Sequence, residues 1–218
     1  MIMQPELIIF DFDGTLADTT ATILATYQGA IKEVGAAPRT DAECQATIGL
    51  PLKEGFMQLY PEFGEDEIDR CVNTYRKIFI ANKSKLIPKL YPGVMDTLEE
   101  FHRRGYEMSV ASSRSRWSLL EFCDDNKISH FFKLILGADD VTHAKPDPEP
   151  VLKTLEILKK KPEAAVVVGD MPVDIAMGRG AGCRTVGVTY GNSCREQLEA
   201  AGADKVIDAF PELLNFLE

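Results

Sequence analysis

The sequence lacks an excess of positive charge, which argues against one large class of partners. Its 218 residues include 24 lysines and arginines against 34 aspartates and glutamates, so the formal net charge is −10. Binding to nucleic acid needs a clustered basic surface, and we therefore expect no nucleic-acid partner. The acidity does not exclude an anionic substrate, because a metal ion and one or two lysines can dominate the field at a single site.

Long apolar runs, a basic leader and paired cysteines are also missing. No stretch approaches the roughly 18 apolar residues of a membrane helix, and no basic segment precedes the first apolar run, so we expect no membrane anchor or signal peptide. The five cysteines are scattered and form no C-x-x-C pair, which favours reduced, buried thiols over metal or redox work. These absences predict a cytoplasmic protein and leave its oligomeric state open.

Short apolar runs do occur, and they alternate with helical patterns along most of the chain. The predicted strands are residues 7–10, 106–111, 134–136, 164–168, 185–188 and 205–207. Helical patterns lie between most of them, at residues 94–104, 115–126, 148–160, 173–181 and 194–200. Strands that alternate with helices predict an α/β fold with a doubly wound parallel sheet.

One segment breaks this alternation. Between residues 16 and 88 the sequence shows helical patterns, punctuated by prolines, and no convincing strand. The candidate helices are residues 20–34, 41–48, 53–60 and 65–82. We therefore predict an α/β core of residues 1–15 and 89–218, with a small α-helical domain of residues 16–88 inserted after the first strand.

Polar side chains follow three of the predicted strands, and ligands bind at such carboxyl ends in open parallel sheets. The residues concerned are Asp11, Asp13, Ser112, Ser113 and Asp170. Asp11 and Asp13 are two apart on an extended segment, so their carboxylates point the same way. One can act as a nucleophile and the other as an acid and base. Gly14 then permits the tight turn by which the chain leaves the strand.

Other residues suit a metal ion and a phosphate group. Asp170 ends a strand and Asp174 follows four residues later, and hard oxygen ligands of this kind suit Mg²⁺. Without a metal the crowded carboxylates would repel one another, and one would tend to hold a proton. Lys145, on a stiff loop before Pro-x-Pro, can neutralise a phosphate together with a nucleophile. The Ser112 hydroxyl can hydrogen-bond a phosphoryl oxygen.

These elements, in this order, resemble the motifs of the haloacid dehalogenase superfamily over essentially the whole chain. The four matching segments are Asp11-Phe12-Asp13-Gly14-Thr15-Leu16 with Asp18-Thr19, then Ser112, then Lys145-Pro146, and finally Gly169-Asp170 with Asp174. The helical insert resembles the cap of the phosphoglycolate phosphatase-like branch. Its segment Ile48-Gly49-Leu50-Pro51-Leu52 is similar to the cap loop that faces the active site in that branch.

The resemblance implies a magnesium-dependent phosphatase that acts on a small phosphorylated metabolite. Asp11 would attack phosphorus to form an aspartyl-phosphate, and Asp13 would protonate the leaving oxygen and later activate water. Ser112 and Lys145 would hold the phosphoryl group. Phosphoglycolate is the first candidate substrate because of the branch, while pyrophosphate, sugar phosphates and nucleotide monophosphates remain open.

The same resemblance implies the metal ligands and the substrate contacts. Mg²⁺ would be bound by the carboxylates of Asp11 and Asp170 and by the main-chain carbonyl of Asp13, while Asp174 would bind directly or support the metal's waters. The predicted substrate-binding residues are Gly14, Thr15, Lys53, Ser113 and Arg114. Many relatives with this cap have Thr-Asn where this chain has Ser112-Ser113-Arg114, so a contact between Arg114 and phosphate is left open.

Other readings of the same fold are weaker. A mutase resembling β-phosphoglucomutase would use a cap histidine and an Arg-Gly-x-Ser-Arg loop, whereas this insert has no histidine and its loop reads Gly49-Leu50-Pro51-Leu52-Lys53. Dehalogenases of the superfamily lack the second aspartate of the first motif, so Asp13 favours phosphoryl transfer. A regulatory protein on an inactive phosphatase fold would usually have lost Asp11, Asp13 or Lys145, and all three are present.

Overall fold

The computed structural model describes residues 5–82 and 88–217. Residues 1–4, 83–87 and 218, which belong to the two predicted domains, lie outside the described residues. In chain order the strands are β1 (Leu7–Phe10), β2 (Ala17–Asp18), β3 (Lys89–Leu90), β4 (Glu107–Ala111), β5 (Phe132–Leu136), β6 (Ala165–Gly169), β7 (Arg184–Val188) and β8 (Lys205–Ile207). The helices are α1 (Thr20–Val34), α2 (Asp41–Gln45), α3 (Leu52–Leu59), α4 (Glu65–Asn82), α5 (Val94–Arg103), α6 (Arg116–Asp125), α7 (Glu149–Leu158), α8 (Pro172–Gly180), α9 (Arg195–Ala200) and α10 (Leu213–Phe216). Within the described ranges, no helix is long and apolar enough to cross a membrane.

Six of the strands form one parallel sheet in the order β5-β4-β1-β6-β7-β8. All four residues of the central strand β1 are buried. Its alternate side chains enter two apolar clusters: Ile8 and Phe10 pack with residues of α5 and α6, whereas Leu7 and Ile9 pack with residues of α7 and α8. Helices therefore cover both faces, as parallel sheets require. This arrangement confirms the predicted α/β fold with a doubly wound parallel sheet.

Helices α1 to α4, which we call the helical insert, bury apolar side chains in a cluster of their own. Helices α1 and α4 pack against each other. The ring of Tyr27 in α1 lies with its centroid 5.0 Å from that of Phe56 in α3 and 5.0 Å from that of Tyr75 in α4. Contacts of this kind stabilise a helical unit through its own side chains. The limits of the insert as a separate domain stay a prediction.

Two expectations for this segment are wrong in detail. Ala17–Asp18 pairs with Lys89–Leu90 as an antiparallel ribbon, although the sequence shows no convincing strand between residues 16 and 88. Strands of two residues are too short to display an alternating pattern. The second predicted helix ends at Gln45 rather than at residue 48, because the amides of Thr47 and Ile48 donate to carbonyl oxygens three residues earlier in tighter turns.

Candidate active site

Three neighbouring strands, β4, β1 and β6, end at the same edge of the sheet, and a candidate catalytic side chain follows each of them. Asp11 continues the ladder beyond β1, since its amide donates to the carbonyl of Val168 at 2.8 Å. Ser112 follows β4 in the same way, and its amide donates to the carbonyl of Leu136 at 3.1 Å. Asp170 directly follows β6. Parallel strand order therefore brings together residues that are far apart in sequence.

The turn after β1 requires glycine. Gly14 has a φ of 85°, and a Cβ atom added there would lie 2.2 Å from Oδ2 of Asp170. The next residue, Thr15, donates from Oγ1 to Oδ1 of Asp170 at 3.3 Å. Both residues, predicted to bind substrate, thus lie against the Asp170 carboxylate. A cavity lies between the sheet edge and the helical insert, and neither residue is among the described residues that line it.

Three buried carboxylates and one lysine form what we call the carboxylate cluster: Asp11, Asp170, Asp174 and Lys145. Each carboxylate offers one oxygen, and these oxygens lie within 4.8 Å of one another. The Nζ of Lys145 donates to Oδ1 of Asp11 at 2.5 Å and to Oδ1 of Asp174 at 2.7 Å. All four residues are buried, so one ammonium faces three carboxylates in a poorly hydrated place.

The pKa values of Asp11 and Asp170 are raised, which agrees with this shortage of positive charge. Burial raises the pKa of Asp11 well above its ordinary value; Lys145 opposes the shift, and the carboxylates of Asp174 and Asp170 add to it. Burial and then the charge of Asp174 raise the pKa of Asp170 to about 7, although Asn192 donates two hydrogen bonds to it. Burial alone would lower the pKa of Lys145, but Asp11 and Asp174 outweigh it, so its pKa is raised and the ammonium stays charged.

The carboxylate cluster fits a divalent metal ion. Its donors are hard oxygen atoms, which Mg²⁺ prefers, and a cation would supply the charge that the three carboxylates lack. The carboxylates are also held in position by neighbouring groups. Asn192 donates to Oδ2 of Asp170 from its main-chain amide at 2.7 Å and from Nδ2 at 2.8 Å, and the amide of Met171 donates to Oδ2 of Asp174 at 3.0 Å.

Asp13 has a different partner, Arg114. The guanidinium donates from Nη2 to Oδ1 of Asp13 at 2.6 Å and from Nε to Oδ2 at 3.1 Å, in a two-pronged contact. The same guanidinium contacts the faces of two rings, with its Cζ 5.6 Å from the centroid of Phe12 and 5.4 Å from that of Phe79 in α4. Burial would lower the pKa of Arg114, but Asp13 outweighs it and the pKa is raised. Arg114 is therefore directed at the carboxylate of Asp13.

The helical insert is hydrogen-bonded to the edge of the sheet at two places. Oγ of Ser113 donates to the carbonyl of Gly49 at 2.7 Å. Oδ1 of Asn192 accepts from Oγ1 of Thr20 at 3.0 Å and from Nε2 of Gln45 at 3.2 Å. Sequence reasoning missed Asn192, although it follows the strand predicted at residues 185–188. The signal that points to Asn192 is a polar side chain shortly after a strand end, which is also the signal that marks Asp11, Ser112 and Asp170.

A cavity of about 500 Å³ lies between the sheet edge and the helical insert. Six of the residues predicted to act on substrate line it: Asp11, Asp13, Lys53, Ser112, Ser113 and Arg114. Lys53 also pairs with Glu65 at 3.2 Å and with Asp69 at 2.8 Å. Lys145, Asp170 and Asp174 lie outside the lining. The cavity therefore meets the carboxylate cluster at Asp11.

Known proteins are similar to this chain in sequence and fold. Residues 8–188 match the family of haloacid dehalogenase-like hydrolases. The pyrophosphatase PpaX of Anoxybacillus flavithermus is 33% identical, with 99% of this chain and 98% of that protein aligned. The probable phosphatase IndB of Dickeya dadantii is 34% identical over 97% of this chain and 93% of its own length. A Haemophilus somnus crystal structure, described as a predicted phosphoglycolate phosphatase, has a TM-score of 0.86 at 25% identity and covers 100% of both chains.

The match to the family extends over most of the chain, and the aligned relatives carry phosphatase names. The fold agrees with the same conclusion, since the solved structure superposes over its full length. The chain belongs to the haloacid dehalogenase-like hydrolase family and is one of its phosphoric monoester hydrolases.

Proposed function

We propose that the chain is a magnesium-dependent phosphatase that hydrolyses a small phosphorylated metabolite through an aspartyl-phosphate on Asp11. The observation that carries the proposal is the position of Asp11. Its carboxylate belongs to the carboxylate cluster and also lines the 500 Å³ cavity. A phosphoryl group in the cavity can therefore meet a nucleophile whose charge is balanced by the ammonium of Lys145.

In the first step a carboxylate oxygen of Asp11 attacks phosphorus. The new O–P bond forms as the bond from phosphorus to the ester oxygen breaks, and Asp13, in its protonated form, gives its proton to that oxygen, so that an alcohol leaves. Ser112 and the ammonium of Lys145 stabilise the charge on the phosphoryl oxygens. Arg114 fixes the direction of the Asp13 carboxylate through its two hydrogen bonds.

In the second step Asp13, now a carboxylate, accepts a proton from a water molecule. The water oxygen attacks phosphorus, its bond to phosphorus forms, and the bond to the Asp11 oxygen breaks. Inorganic phosphate leaves, and both aspartates return to their starting states. The sum of the two steps is one ester plus one water giving one alcohol plus one phosphate.

Mg²⁺ would be held by the carboxylates of Asp11 and Asp170 and by the main-chain carbonyl of Asp13, with Asp174 as a direct ligand or as support for its waters. When bound, it supplies positive charge that offsets the charge of the phosphoryl group in the transition state. The raised pKa values of Asp11 and Asp170 support this part of the proposal, because they mark a site that lacks positive charge.

Phosphoglycolate and pyrophosphate are the candidate substrates that the relatives suggest. The first comes from the Haemophilus somnus protein and the second from PpaX. Both would be processed by the same residues at phosphorus. They differ only in the leaving group, which is glycolate in one case and phosphate in the other.

Turnover of p-nitrophenyl phosphate tests the proposed reaction. We expect Mg²⁺-dependent release of nitrophenol that EDTA abolishes, and a loss of at least about 10³-fold in kcat for Asp11→Asn. Intact-mass measurement after rapid acid quench should detect one added phosphoryl group on the wild type and none on Asp11→Asn. Asp125→Asn is the matched control, because this aspartate is exposed at the end of α6. Full activity of Asp11→Asn would refute the proposed nucleophile.

A further inference from the structure

We infer that the natural substrate is a phosphomonoester of a bulky, largely apolar or aromatic alcohol, rather than phosphoglycolate or pyrophosphate. The inference concerns the leaving group of the reaction above, so it rests on the proposed function. Its basis is the unequal chemistry of the cavity. Catalytic polar groups occupy one side, and apolar side chains form most of the rest.

The polar side belongs to the sheet edge, where Asp11, Asp13 and Ser112 line the cavity. Much of the remaining lining comes from the helical insert and its loops, and Trp117 at the start of α6 adds to it. Apolar and aromatic residues of the insert that line the cavity include Ile23, Leu50, Tyr75, Phe79 and Ile80. A phosphoryl group held at Asp11 would direct its ester oxygen away from the sheet, and the alcohol would then lie among these side chains.

The size of the cavity favours a large alcohol. Its volume of about 500 Å³ lies within the roughly 300–1,000 Å³ typical of pockets for drug-sized ligands. The helical insert is already hydrogen-bonded to the sheet edge through Ser113 and Asn192, so the space does not arise from a separated insert. Glycolate or phosphate would leave much of the apolar wall in contact with water, at a cost in free energy.

Carboxylates already engage two of the three basic side chains that line the cavity. Among the described residues that line it, three are acidic and three are basic: Asp11, Asp13 and Asp139 against Lys53, Arg76 and Arg114. Asp13 engages the guanidinium of Arg114 through both of its oxygens. Glu65 and Asp69 engage Lys53. A carboxylate or a second phosphate would have to compete with these partners for charge-assisted hydrogen bonds to Arg114 or Lys53.

The mouth of the cavity carries apolar surface that a large alcohol would cover. Ile80 in α4 is 53% exposed, and Trp117 in α6 is 47% exposed. Both residues line the cavity. Contact with an apolar ligand would remove part of this surface from water, and flat rings such as Trp117 favour aromatic partners.

Four substrates test the inference: the alkyl esters 2-phenylethyl phosphate, ethyl phosphate and 2-phosphoglycolate, and the anhydride pyrophosphate. The first three are primary alkyl esters, so their leaving oxygens can be compared directly. With Mg²⁺ present we expect kcat/KM for 2-phenylethyl phosphate to exceed that for ethyl phosphate by about tenfold or more, and to exceed those for phosphoglycolate and pyrophosphate. A higher kcat/KM for either of the last two would overturn the inference, whereas no turnover of any of the four or of p-nitrophenyl phosphate would instead refute the proposed phosphatase.

Two variants at the cavity mouth assign the preference to the apolar wall. Ile80→Ala and Trp117→Ala change half-exposed side chains, so both proteins should fold. We expect each to lower the ratio of kcat/KM for 2-phenylethyl phosphate over ethyl phosphate by about three- to tenfold. Ile157→Ala, which truncates a 49% exposed side chain on α7 outside the cavity lining, should keep the wild-type ratio. An unchanged ratio in both mouth variants would show that the wall does not hold the alcohol.

Discussion

Asp11 and Asp13 are two residues apart, yet different parts of the fold supply the side chains around their carboxylates. Asp11 belongs to the carboxylate cluster, whose members all follow strands of the sheet or lie in the loop and helix beside them. Asp13 belongs to the Asp13–Arg114 pair, in which the guanidinium packs against Phe79 of the helical insert. The charged partners of Asp11 thus all belong to the core, whereas the position of Asp13 depends partly on the helical insert through Arg114.

This difference separates two tasks of the proposed reaction. The carboxylate cluster handles phosphorus, which is the same in every substrate. The Asp13–Arg114 pair handles the leaving oxygen, which differs between substrates, and it lies beside the wall that would contact the alcohol. Changes in the helical insert can therefore alter the choice of leaving group while the nucleophile keeps its surroundings.

The largest effect should come from Lys145→Met, which leaves three buried carboxylates without their lysine. Loss of one partner from a buried ion pair costs about 3–5 kcal/mol of unfolding free energy, and we also expect activity to disappear. Urea denaturation of the metal-free protein measures the first effect, and added Mg²⁺ should restore part of the stability. Lys77→Met is the control, because Lys77 is 77% exposed and pairs with Glu33 at 3.5 Å; its loss should stay below about 1 kcal/mol. Equal losses in the two variants would mean that the cluster does not depend on its lysine.

A smaller and more selective effect is expected for Arg114→Gln. Without the two-pronged contact Asp13 can turn away from the leaving oxygen, and a positioned general acid contributes about 10²–10⁴-fold. We expect kcat/KM for ethyl phosphate to fall by about 10²-fold and that for p-nitrophenyl phosphate to fall much less, because nitrophenolate leaves without protonation. Arg114→Lys keeps the charge but not the planar fork, so its kcat/KM for ethyl phosphate should lie between those of the wild type and Arg114→Gln.

The neighbouring Arg116→Gln is the control for that comparison. Arg116 pairs with Asp140 at 3.1 Å and its side chain is 48% exposed, so both substrates should keep near-normal kinetics. If Arg114→Gln lowered kcat/KM equally for both esters, Arg114 would act on the phosphoryl group or on folding. The division between the carboxylate cluster and the Asp13–Arg114 pair would then be wrong.

The sequence predicted the fold and much of the carboxylate cluster for one physical reason. Continuous apolar runs mark buried parallel strands, and the ends of adjacent strands meet, so Asp11 and Asp170 could be brought together before any coordinates were known. The partner of Arg114 could not be predicted in this way. The direction of the Arg114 side chain depends on its contacts with the rings of Phe12 and Phe79. These two residues are far apart in sequence and lie on different parts of the fold.

Asn192 and the ribbon of β2 and β3 were missed for related reasons. Asn192 is marked in the sequence only as a polar residue after a strand. Its hydrogen bonds to Asp170, Thr20 and Gln45 join distant parts of the chain, and no local pattern encodes them. Strands of two residues carry too little pattern to be recognised. The cavity likewise depends on how the helical insert sits against the sheet, so its apolar wall became visible only in three dimensions.

The last effect is the pH dependence of the stability of the metal-free protein, and it arises in the carboxylate cluster. Burial and then Asp174 raise the pKa of Asp170 from 3.8 to about 7. Between these two values the folded protein holds more protons than the unfolded chain, so its unfolding free energy should fall as the pH rises from about 4 to about 7. Thermal unfolding in EDTA measures this slope, and Asp170→Asn should reduce it because that group no longer titrates. Saturating Mg²⁺ should also flatten it, since a bound cation replaces the proton. A slope that survives both Asp170→Asn and Mg²⁺ would place the titrating group outside the carboxylate cluster.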